Sequence, residues 1–127
     1  MKLGFGLAHN FLIEVRGRTS GRLYSTPVNV LDYEGKRYLV APRGDTQWMR
    51  NVIVSREATL VKGTRREPVR LRPIADEAKA KILKTYLDRY KLTVQRYFPV
   101  PAGSPTEVFE PLAARYPVFE ITRDSSK

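Results

Sequence analysis

Cysteine is absent from the 127 residues, which excludes disulfides, thiolate metal sites and thiol nucleophiles. Histidine occurs once, at His9, so most metal sites and the usual general base are removed as well. A lone histidine near a terminus reads as structural or solvated. The carboxylates Glu14, Asp32, Glu34, Asp45, Glu57 and Glu67 are scattered, with no close pair of the kind hydrolysis uses; surface charge is their expected role. Ser20 has no evident base to activate it. No apolar run is long enough to span a bilayer, and the opening Met1 to Val15 shows no small-residue cleavage pattern. Its short apolar stretch reads as the entry to a first strand, and a cytoplasmic location is the expectation. No glycine-rich turn of dinucleotide or P-loop form is present. If this chain is an enzyme, a cofactor carries its reaction.

What the chain has in excess is positive charge, +10 at neutral pH. Such a field attracts nucleic acid, an acidic membrane face or an acidic small molecule, while a solvated basic surface is the plainer alternative. The length fits one domain over 1–127, and 42% hydrophobic residues suffice for a core.

The pattern along the chain is mainly strand. Phe11 to Val15 is a short β-favouring run ended by the loop Gly17 to Gly21. Leu23 to Tyr33 and Arg37 to Ala41 pair across Glu34-Gly35, and Pro27 demands a bulge or an edge. Pro42 to Asp45 breaks the second strand; Asp45 or Thr46 then caps a short helix with Trp48, Val52 and Ser55 on one face and Asn51 beside them. Ala58 to Val61 and Pro68 to Leu71 form a second hairpin. From Asp76 to Tyr90 the residues Ala78, Ile82, Leu83, Tyr86, Leu87 and Tyr90 fall at helical spacing, with Lys79, Lys81, Lys84 and Arg89 outside the stripe. Ser104-Pro105-Thr106-Glu107 reads as a capping box opening a last helix whose buried face is Val108, Phe109, Leu112, Ala113 and Tyr116. Pro117 to Ile121 closes the sheet, and Thr122 to Lys127 is expected to fray. Hairpin-linked strands with few helices point to an antiparallel barrel of about six strands, an α+β fold with short helices packed around it.

Two segments look suited to an anionic cofactor. In Arg16 to Arg22, two glycines let backbone N–H groups turn inward, with Arg18, Thr19 and Ser20 beside them; a charged β-turn looks the same. In Pro42 to Asn51, a helix start follows a strand end and presents Trp48, Arg50 and Asn51. An isolated tryptophan is somewhat more often a core anchor.

Gly17 to Gly21, then Ser25-Thr26-Pro27, then Trp48-Met49-Arg50-Asn51 resemble the deazaflavin-dependent nitroreductase and quinone reductase family. The resemblance continues through Glu57 to Leu60, the basic hairpin Gly63 to Arg66 and Tyr116 to Phe119, so it covers nearly the whole chain in order. It implies a split β-barrel holding an 8-hydroxy-5-deazaflavin coenzyme, whose phosphate and glutamates match the basic charge. It further implies hydride transfer to a quinone, nitro compound or similar small-molecule acceptor. The coenzyme-binding residues it implies are Arg18, Thr19, Ser20, Gly21, Tyr24, Thr26, Pro27, Arg43, Gly44, Trp48 and Asn51. Tyr86, Tyr90 and Tyr97 would lie over the acceptor, or Tyr86 and Tyr90 would simply pack the helix. Relatives often carry arginine where this chain has Tyr24 and lysine where it has Thr19. No residue is assigned as nucleophile or general base, and no metal is expected.

Rival readings come from other classes. Split barrels also hold flavin mononucleotide (FMN), haem or fatty acids without turnover. A nucleic-acid-binding barrel fits the charge, but such barrels expose aromatics among their basic residues, whereas Trp48, Phe109, Phe119 and Tyr86 fall on apolar patterns. No nucleic-acid partner is therefore expected. A homodimer and peripheral contact with an acidic membrane remain open.

Overall fold

The computed structural model describes residues 10–44 and 47–123. Six strands form a closed antiparallel barrel: β1 (Asn10–Arg16), β2 (Leu23–Tyr33), β3 (Lys36–Val40), β4 (Glu57–Lys62), β5 (Arg65–Pro73) and β6 (Val118–Arg123). Around the ring they run β1-β2-β3-β6-β5-β4, and β4 returns to β1 through the Ile13–Leu60 pair. Period-two alternation turns Ile13, Val15, Val30, Leu39, Leu60, Val69, Leu71, Phe119 and Ile121 into one interior cluster. The β2–β3 turn is the expected tight hairpin, with φ of +52° at Glu34 and +78° at Gly35.

Pro27 stands at an edge rather than a bulge. It faces Leu12 in β1 without interrupting the register, and β3 pairs with β2 only from Val30 onward. Pro68 repeats the arrangement in β5, opposite Thr59 and just before β6 begins to pair at Val69. Each proline sits where its strand has a neighbour on one side only, so its missing N–H leaves no gap between two ladders.

Helix α1 (Gln47–Ser55) places Met49 and Val52 in the barrel interior cluster. The expected capping residues Asp45 and Thr46 lie outside the described residues, as does His9. Helix α2 (Ala80–Val94) lays Ile82, Leu83, Tyr86 and Leu87 with Leu31, Tyr38, Val40 and Val118 in a second cluster on the barrel's outer face. It starts later than its periodicity suggests, because Asp76–Ala78 forms a 3₁₀ turn and Ala78 is exposed. It also runs four residues further, to Val94, one heptad beyond Leu87, through a non-helical Tyr90 (φ −112°, ψ 26°). Lys79 is buried, its Nζ donating to the Ala113 carbonyl at 3.1 Å and pairing with Asp76 at 2.9 Å. No described helix is long and apolar enough to cross a membrane.

The last helix does not form. Thr106–Phe109 and Ala113–Arg115 are separate 3₁₀ turns, and Ser104 Oγ donates to the Pro101 carbonyl instead of capping. Pro111 has no N–H to return to Glu107, so the chain closes i→i−3 bonds around it, from Leu112 to Phe109 and Ala113 to Glu110. Phe109, Ala113 and Tyr116 are buried as expected. The closing strand runs to Arg123, pairing Thr122 with Arg70 and Arg123 with Val69, so the first two residues expected to fray are in the sheet.

Candidate functional site

The loop after β1 is folded on itself. Gly17 N donates to the Arg22 carbonyl at 2.7 Å, Gly21 N to the Gly17 carbonyl at 3.1 Å, and Arg22 N to Ser20 Oγ at 3.2 Å. Gly17 is closely approached: a Cβ there would lie 2.7 Å from the Tyr24 ring and 2.8 Å from Ser20 Oγ, so both side chains would have to shift. The loop therefore does not turn all its N–H groups inward. Among the described residues, the Arg18 N–H leaves the loop for a partner in α1, and those of Thr19 and Ser20 make no hydrogen bond.

Arg18 fastens this loop to α1. Its backbone N and its Nη1 both donate to Asn51 Oδ1, at 3.1 and 2.8 Å, and its Nη2 donates to Gln47 Oε1 at 3.0 Å. Gln47 and Asn51 stand one turn apart on α1, so both reach the same guanidinium. Asn51 is only 5% exposed, and its side-chain Nδ2 has no partner among the described residues. A buried amide donor without an acceptor is costly unless a ligand or water supplies one.

These groups open onto a cavity of about 980 Å³ between the loop, the first half of β2, the end of β3, α1 and the end of α2. Arg18, Thr19, Ser20 and Tyr24 line it from the loop side, Thr26 and Pro27 from β2, Arg43 from the end of β3, and Trp48 and Asn51 from α1. Tyr86 and Tyr97 complete the wall. Gly21 does not line it; with φ of +76° it makes the turn. Gly44 faces an adjoining concavity of about 370 Å³ shared with Arg43, Tyr97 and Arg115. Tyr90 lies outside the cavity lining as well, because its hydroxyl donates to the Val30 carbonyl at 3.0 Å while its ring packs on Tyr86.

Asn29, Gln47, Thr93 and Val94 also line the cavity and carry no site expectation from sequence. Gln47 was legible as the residue one turn before Asn51, and Asn29 as the second residue past Pro27 on the same strand face. Thr93 and Val94 were not, since the periodic stripe ends at Tyr90.

The lining includes Arg18 and Arg43 but no carboxylate among the described residues. Arg43 makes no hydrogen bond or ion pair among them, so its charge is available. Burial pushes the Tyr86 phenol up to about 12, against the opposing pull of its hydrogen bond with Asn29. That hydroxyl stays protonated at any ordinary pH. A cavity of this size, with apolar walls at Val28, Val40 and Trp48, two guanidiniums and a buried donor, suits a planar molecule with an acidic arm. The residues present fit a deazaflavin coenzyme.

Comparison with known proteins agrees on fold. The sequence profile described as F420H(2)-dependent quinone reductase matches residues 3–100. A solved structure described as an F420-H2 dependent reductase, FDR-A, superposes with a TM-score of 0.59 at 19% identity, over 89% of this chain and 93% of that one. A protein of unknown function from Agrobacterium tumefaciens gives 0.64 at 15% identity over 92% of this chain, which spans about half (49%) of its length. The haem storage protein HutZ from Vibrio cholerae gives 0.63 at 6% identity, over 93% of this chain and 83% of that one. At these identities the structural likenesses speak for the split barrel alone. No curated protein matches the chain.

Proposed function

The chain belongs to the F420H(2)-dependent quinone reductase family, and from that premise we propose that it passes hydride from a reduced deazaflavin coenzyme in the large cavity to a quinone, nitro compound or similar organic acceptor. The family depends on the deazaflavin F420 in its reduced form. The observation that carries the assignment of the site is the unpartnered amide of buried Asn51, which shares with Arg18 and Arg43 a cavity lining without carboxylates among the described residues.

Each part of the wall has a role in this reading. Arg43 and the Thr19 and Ser20 N–H groups take the acidic arm; Arg18, held by neutral oxygens, keeps its charge beside them. Trp48, Pro27 and Val28 enclose the ring system and exclude water. Asn51 Nδ2 donates to a ring or arm oxygen. When bound, a reduced deazaflavin supplies the hydride. Hydride transfer needs donor and acceptor atoms held in contact, so positioning supplies much of the rate, and no side chain need act as nucleophile or general base. In this reading Tyr86 and Tyr97, both in the lining, meet charge developing on the acceptor through their hydroxyls. The whole chain then works as one coenzyme-binding domain, and the cytoplasm is its proposed setting.

Equilibrium titration of the purified protein with the deazaflavin coenzyme, FMN and haem tests the proposal. Deazaflavin should bind on the order of tens of micromolar or tighter. Tight binding of FMN or haem with no response to deazaflavin overturns it.

A further inference from the structure

We propose that the concavity adjoining the large cavity selects acceptors that carry a carboxylate, with Arg115 as the residue that determines this specificity. Its volume is about 370 Å³, and Pro42, Arg43 and Tyr97 belong to both linings, so the two spaces share a wall. Local hydrogen bonds bring its sides together. Ala41 N donates to the Pro117 carbonyl at 2.9 Å and Gly44 N to the Ala41 carbonyl at 3.0 Å, which turns the chain after β3 back toward 115–117. Gly44 takes a φ of +78° there, and a Cβ on it would stand 3.4 Å from the Arg115 carbonyl. The aromatic part is fixed by Tyr116, whose hydroxyl donates to the Tyr97 carbonyl at 2.6 Å and whose ring stacks on Phe98 at 4.5 Å.

Positive charge is what this frame presents. Arg115 lies over the Tyr116 ring, 5.9 Å from its centroid, and Arg43 makes no hydrogen bond or ion pair among the described residues. Neither guanidinium meets a carboxylate among those residues, and none lines the concavity. Arg96 adds a third positive charge at Tyr97: it donates to the Tyr97 hydroxyl at 3.1 Å, a neutral partner that leaves the charge in place. A carboxylate placed in the concavity gains charge-assisted donors, and a guanidinium fork matches its two oxygens. Which molecule brings that carboxylate follows from the residues the two spaces share. Thr19 and Ser20, whose N–H groups take the coenzyme's acidic arm, line only the large cavity, and Arg115 lines only the second. Tyr97, which meets the acceptor in the proposed function, lines both. An acceptor against Tyr97 therefore has the concavity of Arg115 beside it. The inference rests on the proposed function for that placement.

Titration of the protein carrying oxidised deazaflavin with 4-nitrobenzoate and with 4-nitrobenzamide, followed by two-dimensional NMR at about 0.15 M salt, tests it. The two compounds match in shape and differ in charge. The acid should bind at least about fivefold tighter than the amide and shift the backbone amides of Gly44, Tyr97 and Arg115. Arg115→Gln should reduce that preference to less than about twofold. Lys81→Gln removes the same charge from an exposed position on α2 and should keep the preference nearly whole. Equal affinity for acid and amide, equal losses in both variants, or no binding of the acid at about 10 mM overturns the proposal. So does a fall in deazaflavin affinity in Arg115→Gln as large as the fall for the acid, which would give the concavity to the coenzyme's own arm. Failure of the wild type to bind deazaflavin overturns the coenzyme reading instead; the acid–amide comparison is then made on the chain alone, with the same outcomes deciding it.

Discussion

At the cavity Arg18 is held by neutral amide oxygens, Asn51 Oδ1 and Gln47 Oε1, whereas at the far end of the barrel Arg37 and Arg66 are held by the carboxylates of Glu67 and Glu14. A neutral oxygen orients a guanidinium and leaves its charge in place; a carboxylate orients it and cancels it. The first arrangement suits binding of an anion, and the second suits stapling strands together. Arg37 and Glu67 join β3 to β5 across β6, and Arg66 with Glu14 joins β5 to β1 across β4. The same residue type thus keeps its charge at one end and serves architecture at the other, according to the oxygen that meets it.

The sharpest way to break this contrast is Asn51→Leu, which keeps volume but removes both the acceptor for Arg18 and the buried donor. Coenzyme affinity should fall about a hundredfold, and stability by roughly 2 kcal/mol as Arg18 loses its seat. Calorimetric titration and thermal unfolding would show the two losses together; unchanged binding would place the ligand elsewhere. Arg43→Ala should separate them. With no protein partner to lose among the described residues, it should weaken coenzyme binding about tenfold and leave the unfolding midpoint within a degree or so.

Arg37→Ala is the converse, a stability loss of about 1 kcal/mol with coenzyme affinity intact. Glu67 is held below its ordinary value of 4.5, chiefly by its hydrogen bond to Arg37. The bridge therefore stabilises fully above that value and is lost as pH falls through the depressed folded value, so the wild type and the variant should converge in strong acid. Denaturant unfolding as a function of pH checks this.

The smallest effect lies in alkali. The Tyr86 phenol ionises near 10 unfolded and near 12 folded, so its contribution is present below pH 10 and is lost as pH rises toward 12. Tyr86→Phe should flatten that part of the stability curve. An unaltered slope would mean that other raised tyrosines, such as Tyr33 and Tyr116, dominate it.

Sequence reading located the parts of the cavity better than their roles. The Gly17–Gly21 loop and the Trp48–Asn51 turn were visible because glycine spacing and an amphipathic helix start are local patterns. That Arg18 and Asn51 meet was not, since the bond spans 33 positions and nothing local marks it. The last helix was misread because a capping signature at Ser104 is local, while Pro111 removes the hydrogen bond needed one turn later. For Tyr90 the resemblance leaves two roles, over the acceptor or packing the helix; its hydroxyl on the Val30 carbonyl and its ring against Tyr86 match the packing role, which depends on contacts that no local spacing marks.

By itself the sequence determined the alternation that builds six strands, the apolar stripe of α2 and a positive charge without thiols or a second histidine. Those are properties of residue order and type, fixed before any contact forms. Only the tertiary structure decided which arginines keep their charge. That depends on whether an amide or a carboxylate arrives opposite each one when the barrel closes.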